Sequence, residues 1–256
     1  MVDPFKRLTV DFWVTDLHGE EIGIRQKEQY RSKSRYFTLD MDIIGKYKED
    51  GKGVGFIALR RKIWEKGDLD GRLVIRMFTD EGRWLGSIEE VVSEEIKRSI
   101  GSNDIIPVFL VTIPKHRYVI WLEKVHRRLG LGEIYVFNYI DEKENKTYTY
   151  VIDEKRLTIG SDWEVYHFSS SKKSAVIDSK KLNIGGRVDI DVYSEEVAKN
   201  RIISTVIALF SSTLKYKGDI ERRIRKRLNS LKDGSWRYKL DRGEIKILRN
   251  PRRILA

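Results

Sequence analysis

The chain has 256 residues, with 50 Lys and Arg against 39 Asp and Glu and no cysteine. Disulfides and thiolate metal sites are therefore excluded, and the scattered His18, His116, His126 and His167 lack the spacing of a structural zinc site. Of the net charge of +11, residues 215–256 carry +10 (15 bases against 5 acids); the 214 residues before them hold 35 against 34, so the body is balanced and the tail is the part that seeks a polyanion.

Met1 to Thr9 is polar and charged, unlike a secretory signal, and a cytoplasmic location is expected. The charge-rich, cysteine-free composition resembles that of thermophile proteins. Leu8–Lys27 alternates apolar and polar residues on both sides of Asp16-Leu17-His18-Gly19, the pattern of a hairpin with a tight turn. The same design returns at Leu73–Ile88 around Asp80-Glu81-Gly82, at Ile134–Val151 around Asp141–Asn145, and at Trp163–Ile177. Further strands are predicted at Tyr36–Ile44, Gly55–Lys62, Val108–Ile113, Tyr118–Lys124 and Arg187–Val192, with Lys46–Gly53 as a solvated loop. A dozen strands exceed what one open twisted sheet usually carries, so closure into a barrel or a sandwich is expected. Ser87–Ser99 has apolar residues at 88, 91, 92 and 96 and reads as a helix stopped by Gly101.

Ser194–Leu214 is the segment that the rest must accommodate. Ser194 is an N-cap with Glu195 and Glu196 in the first turn, and Ile202–Phe210 is uncharged, with apolar side chains pointing all around a helix. It is shorter than the ~20 apolar residues a bilayer span needs, so protein must wrap it: a sheet on one side, as around an ordinary core helix, or a barrel that encircles it.

The order of the last elements resembles the closing section of the tubby-like superfamily, its LURP-one-related and phospholipid-scramblase-like branches above all. Trp163-Glu-Val, Lys173 to Lys181, and Gly186-Arg-Val-Asp-Ile-Asp-Val lead directly into the apolar helix. Over about residues 5–214 the resemblance implies a mainly β fold: a closed, roughly 12-stranded β-barrel around a central hydrophobic helix, 194–214. Residues 1–214 would form that barrel, and 215–256 a basic C-terminal arm. The mid-chain helix and the 42 residues beyond the barrel depart from the pattern. No lipid- or calcium-binding residue of the family maps onto a position here.

In the arm, Ile220, Ile224, Leu228 and Leu231 form a narrow helical stripe, with Arg222, Arg223, Arg225, Lys226 and Arg227 on the other faces. Asp219 can cap this helix and Gly234 can end it. Beyond it, Ser235–Leu240 and Glu244–Leu248 read as a small hairpin that would send Trp236 and Tyr238 to one face and Arg237 and Lys239 to the other. With Arg249, Arg252 and Arg253, these residues form the candidate anion-binding set, because planar guanidinium groups suit phosphates and stack on bases. The competing reading is a docking appendage with Trp236 as core; a third is adsorption to anionic lipid, for which the apolar stripe is narrow.

Catalytic patterns are sparse. Asp104 with Glu123-Lys124, and Asp178 with Lys180, imitate metal-dependent nucleases only at the level chance supplies, and no phosphate-binding glycine loop or Gly-x-Ser-x-Gly elbow occurs. His126, among Lys124, Arg127 and Arg128, has no obvious carboxylate partner in sequence, and this cluster with Lys115, His116 and Arg117 could add a second basic patch to that of the tail. The sequence therefore points to a non-enzymatic protein without a cofactor. Its expected partner is nucleic acid, structured or ribosomal RNA above a defined DNA sequence, since nothing resembles a major-groove reading helix. The alternative is a peripheral protein on an anionic membrane surface.

Overall fold

The computed structural model describes residues 3–12, 24–126, 132–155, 162–170, 172–179, 182, 186–240 and 242–249. Twelve strands alternate in direction and pair with their sequence neighbours: β1 Lys6–Asp11, β2 Met41–Glu49, β3 Lys52–Arg60, β4 Val74–Thr79, β5 Trp84–Glu90, β6 Val108–Thr112, β7 Ile120–Val125, β8 Ile134–Asp141, β9 Lys146–Lys155, β10 Asp162–His167, β11 Lys173–Asp178 and β12 Arg187–Val192. β1 pairs with both β2 and β12, so the sheet is a closed antiparallel barrel without free edges. At this seam Lys6 lies opposite Val192 and Asp11 opposite Arg187. Leu8, Val10, Val188, Ile190 and Val192 are buried, while Arg7 pairs with Asp191 at 2.7 Å and the Thr9 hydroxyl donates to Asp189 at 3.0 Å.

The helices are α1 Ile24–Lys33, α2 Arg61–Trp64, α3 Val92–Ser102, α4 Glu195–Lys199, α5 Arg201–Thr213, α6 Lys217–Lys232 and α7 Arg242–Arg249. The predicted helix 194–214 is thus two helices broken at Asn200, whose side chain accepts from the amides of Ile202 and Ile203 and so starts the second one. Every residue from Ile203 to Thr213 is buried. Four of the five hydroxyls in this run are bonded within the helical segment: Ser204 on the carbonyl of Val197, Ser211 on Ile207, Ser212 on Leu209 and Thr213 on Phe210, all within 2.9 Å. α5 packs on β1, β4, β5 and β12, and Phe210 meets Tyr135 of β8 and Trp163 of β10 at ring separations of 5.0 and 5.4 Å. At Gly86 of β5 an added Cβ would lie 3.2 Å from Leu209, so only glycine allows so close an approach without displacing a neighbour. One hydrophobic cluster takes in α5 and residues of all twelve strands.

Several local expectations are corrected. Residues 24–27 belong to α1 rather than to the second strand of a first hairpin; the proposed turn at 16–19 lies outside the described residues. Lys46–Gly53 is the tip of a β2–β3 hairpin, turning at Asp50-Gly51 with φ of 49° and 78°, the geometry of a two-residue hairpin turn. β2 begins at Met41, not Tyr36. The mid-chain helix starts at Val92, because Ser87–Glu90 continues β5, and it ends on Asn103 in the left-handed conformation. The expected C-terminal hairpin is absent: residues 235–240 are irregular and 242–249 are helical.

If α5 is held by apolar contact on every side, Ile207→Ala costs about 2–5 kcal/mol in urea unfolding, while Val206→Asp, which puts a charge where no partner exists, abolishes the cooperative transition. A Val206→Asp protein that unfolds like the parent would refute this.

Candidate nucleic-acid interface

The most deeply buried polar anchor of the arm is an arginine. Arg227 of α6 is fully buried; its Nη1 lies 2.7 Å from Glu90 and 3.2 Å from Glu95, its Nε donates to the carbonyl of Leu69 at 3.0 Å, and its Nη2 donates to that of Gly71. The carboxylates are spoken for as well: Glu90 accepts from the Leu73 amide and Glu95 from the Val108 amide. Burial, then the neighbouring Glu90, pushes the Glu95 carboxyl well above its ordinary value despite Arg227. α7 adds a second anchor. Buried Glu244 accepts from the amide and hydroxyl of Ser93, occupying a free N–H in the first turn of α3, and it accepts from the Tyr238 hydroxyl.

These anchors redistribute the expected anion-binding set. Arg227 serves the fold, and so does Arg223, a buried guanidinium 3.6 Å above the Trp64 ring. Arg222 pairs with Asp219 at 2.6 Å and faces Asp68, and Lys226 pairs with Asp68. Arg225, Arg237 and Lys239 are exposed. Trp236 is half-buried, donating from Nε1 to Asp70 at 3.3 Å, with its ring edge-on to Tyr238 at 5.7 Å. Arg249 closes α7, and Arg252 and Arg253 lie outside the described residues. The helix face that reads as uniformly cationic in sequence is thus half consumed by internal partners.

Of the second basic patch, Arg127 and Arg128 lie outside the described residues, Lys115 is exposed, and the remaining members have carboxylate partners. His116 is buried against Tyr139, with Nδ1 3.3 Å from Glu142, which Arg117 shares; burial holds its pKa below the ordinary value. His126 does have a carboxylate, Asp104 at 3.3 Å, and Lys124 lies 3.7 Å from the same group. Glu123 pairs with Arg98. Asp104 and Glu123 of the nuclease-like set are therefore occupied by cations of the chain itself, while Lys180 of the other pair lies outside the described residues.

Uncompensated charge collects elsewhere. On the outer face of β2–β4, Phe37, Met41, Phe56, Ala58 and Phe78 form a separate cluster, and Tyr30 packs α1 onto it at 5.3 Å from Phe37 and 4.8 Å from Phe56. This brings α1 beside α2 and the residues that follow it. Between them opens a cleft of about 1270 Å³, closed on one side by Leu240, Arg242 and Gly243 of the arm. Its lining holds Arg31, Arg35, Arg60, Lys62, Lys66, Arg72 and Arg242 against a single carboxylate, Asp40. Arg60 grips Asp40 through two hydrogen bonds of 3.0 and 3.2 Å. Arg72 is buried and bonded to Glu89 at 3.0 Å; burial alone would raise the Glu89 pKa, but Arg72 and Arg76 hold it below the ordinary range. Arg31, Arg35, Lys62, Lys66 and Arg242 make no ion pair among the described residues, and all five are exposed.

None of these five was singled out in sequence. Arg31 with Arg35, and Lys62 with Lys66, are four-residue spacings that would place two cations on one face of a helix, but only the fold brings three distant segments together. Among the described residues no group of three or more His, Asp or Glu is placed to hold a metal ion, and no helix is long and apolar enough to cross a membrane.

The fold and this surface define a closed antiparallel barrel with a docked C-terminal arm and a cationic cleft between them. No protein-family model, curated protein or solved structure matches the chain.

Removing Arg227 strands two buried carboxylates, and Arg227→Ala is expected to cost about 3–5 kcal/mol in chemical denaturation. A second test uses Glu221 of α6, which burial and then the adjacent Glu133 raise to about 7 against Lys217 and Lys124. A carboxyl whose folded pKa is raised binds its proton more tightly in the fold, so its contribution is full below the ordinary glutamate range and is lost as pH rises through about 7. Stability should decline between pH 5 and 8, and Glu221→Gln should flatten that decline; an unchanged profile would show that Glu221 is not its source.

Proposed function

We propose that this is a cytoplasmic, non-enzymatic protein that binds the phosphate backbone of nucleic acid, RNA above all, in the cleft between α1, α2 and the arm. The observation that carries it is the seven-to-one excess of cations over carboxylates in a concave surface, with five of the cations unpaired among the described residues. Guanidinium and ammonium groups without a carboxylate partner are what a polyanion neutralises as it releases counterions. The arm takes part as the wall that carries Arg242, rather than through a free cationic helix. The tubby-like reading belongs to the same proposal: α5 occupies the barrel lumen. Its contacts with β1, β4, β5, β8, β10 and β12 support this, since those strands lie all around the closed order.

One observation favours a second reading, adsorption to an anionic phospholipid surface. Leu39 and Leu240, both close to half exposed, line the same cleft and would give an adsorbing face some apolar contact.

Fluorescence anisotropy with labelled RNA across a salt series, and co-sedimentation with phosphatidylserine vesicles, separate the two. Five neutralised phosphates give a log–log salt slope of roughly −3 to −4 on RNA. Lys62→Glu with Lys66→Glu should weaken RNA binding at least about tenfold, whereas Arg225→Glu with Arg237→Glu, outside the cleft, should matter less. Vesicle binding without RNA binding would overturn the proposal in favour of lipid.

A further inference from the structure

A second, narrower cleft of about 400 Å³ adjoins the first, and the two share Lys66, Arg72 and Leu240. Its character is different: Trp236 and Tyr238 line it, with Lys239 beside them. The two rings are half-buried and meet edge to face, at 5.7 Å and an interplanar angle of 62°. Each ring is pinned by its polar tip, the indole N–H on Asp70 and the phenol hydroxyl on Glu244. The two carboxylates of this cleft therefore face hydrogen-bond donors of the chain. What remains for a ligand is aromatic surface at fixed orientation, continuous with a track of unpaired cations.

We propose that the combined track takes a single-stranded segment, its phosphates running through the wide basic cleft and one base lodging at the Trp236–Tyr238 step. This rests on the nucleic-acid reading of the basic cleft. Cations alone hold any polyanion, but an aromatic face is useful only to a base whose own face is open. In a paired A-form helix the faces are stacked and its narrow major groove is closed to side chains, so Trp236 and Tyr238 would contribute nothing to a duplex. Arg72, shared by both clefts but neutralised by Glu89, joins the phosphate track to the base site without offering free charge.

The test compares three 12-nucleotide probes on the full-length protein: single-stranded RNA, the matched duplex, and an abasic ribose-phosphate strand of equal charge. Single-stranded RNA is expected to bind at least about tenfold tighter than either of the others. Trp236→Ala should cost on the order of 5- to 100-fold on the intact single strand alone, with the salt slope unchanged, and Trp236→Phe, which keeps a ring face without the Asp70 bond, should recover most of the loss. Should the parent protein bind abasic and intact strands equally, with a steep salt slope, the base site is refuted while the basic cleft stands. Should none of the three bind, the cleft reading itself fails and this inference fails with it. The comparison of probes on the parent protein decides the matter even if Trp236→Ala does not fold.

Discussion

A helix buried around its whole circumference imposes the main constraint on this fold. α5 presents no hydrophilic side to water, and the sheet must therefore supply apolar surface in more than one direction. Each large side chain so buried contributes roughly 1.5–3 kcal/mol. The regular alternation of β12, Val188, Ile190 and Val192 inward with Arg187, Asp189 and Asp191 outward, is the strand-level expression of that demand. The same logic explains the internal hydroxyl bonds of Ser204, Ser211, Ser212 and Thr213, since a polar atom inside such a cluster must bring its partner with it.

The second constraint is ionic. Arg227 enters a site that Glu90 and Glu95 would otherwise leave as two uncompensated buried acids, and the carbonyls of Leu69 and Gly71 complete its coordination. This fastens the C-terminal arm to the turn between α2 and β4 and to α3 at once. Because that turn adjoins the basic cleft, the arm's position and the cleft's shape are set together; Arg242 and Leu240 line the cleft only while Arg227 and Glu244 hold their places.

How much of this was legible in the sequence differs by length scale. Hairpins announced by their turns were readable: Asp80-Glu81-Gly82 and Asp141–Asn145 are turns, and Asp141 accepts from the amides of Lys143 and Glu144 as such a residue should. Asp50-Gly51 carried an equally good signal, but the surrounding Lys and Glu gave it the look of a loop, since their outward positions on β2 and β3 are solvated. α1 was hidden because its packing depends on Tyr30 meeting Phe37 and Phe56, a contact between separated segments. The candidate site failed in an instructive way. A run such as Arg222–Arg227 shows where cations are but not which have internal partners, and Arg223 and Arg227 found theirs in Trp64 and in two glutamates more than 130 residues away. Arg31, Arg35, Lys62 and Lys66 carried too little local pattern to stand out, and became a surface only through the barrel.

The meander topology has a consequence for how the chain is made. Eleven of the twelve pairings join strands adjacent in sequence, but the seam joins residues such as Thr9 and Asp189, 180 positions apart. As the polypeptide leaves the ribosome, successive hairpins can form at little loop-closure cost, while β1 waits with an unpaired edge until β12 emerges. α5 follows β12 by only a few residues. The nascent chain thus carries an open, sticky sheet for most of its synthesis, and the final step of folding must close the ring and bury the helix nearly together.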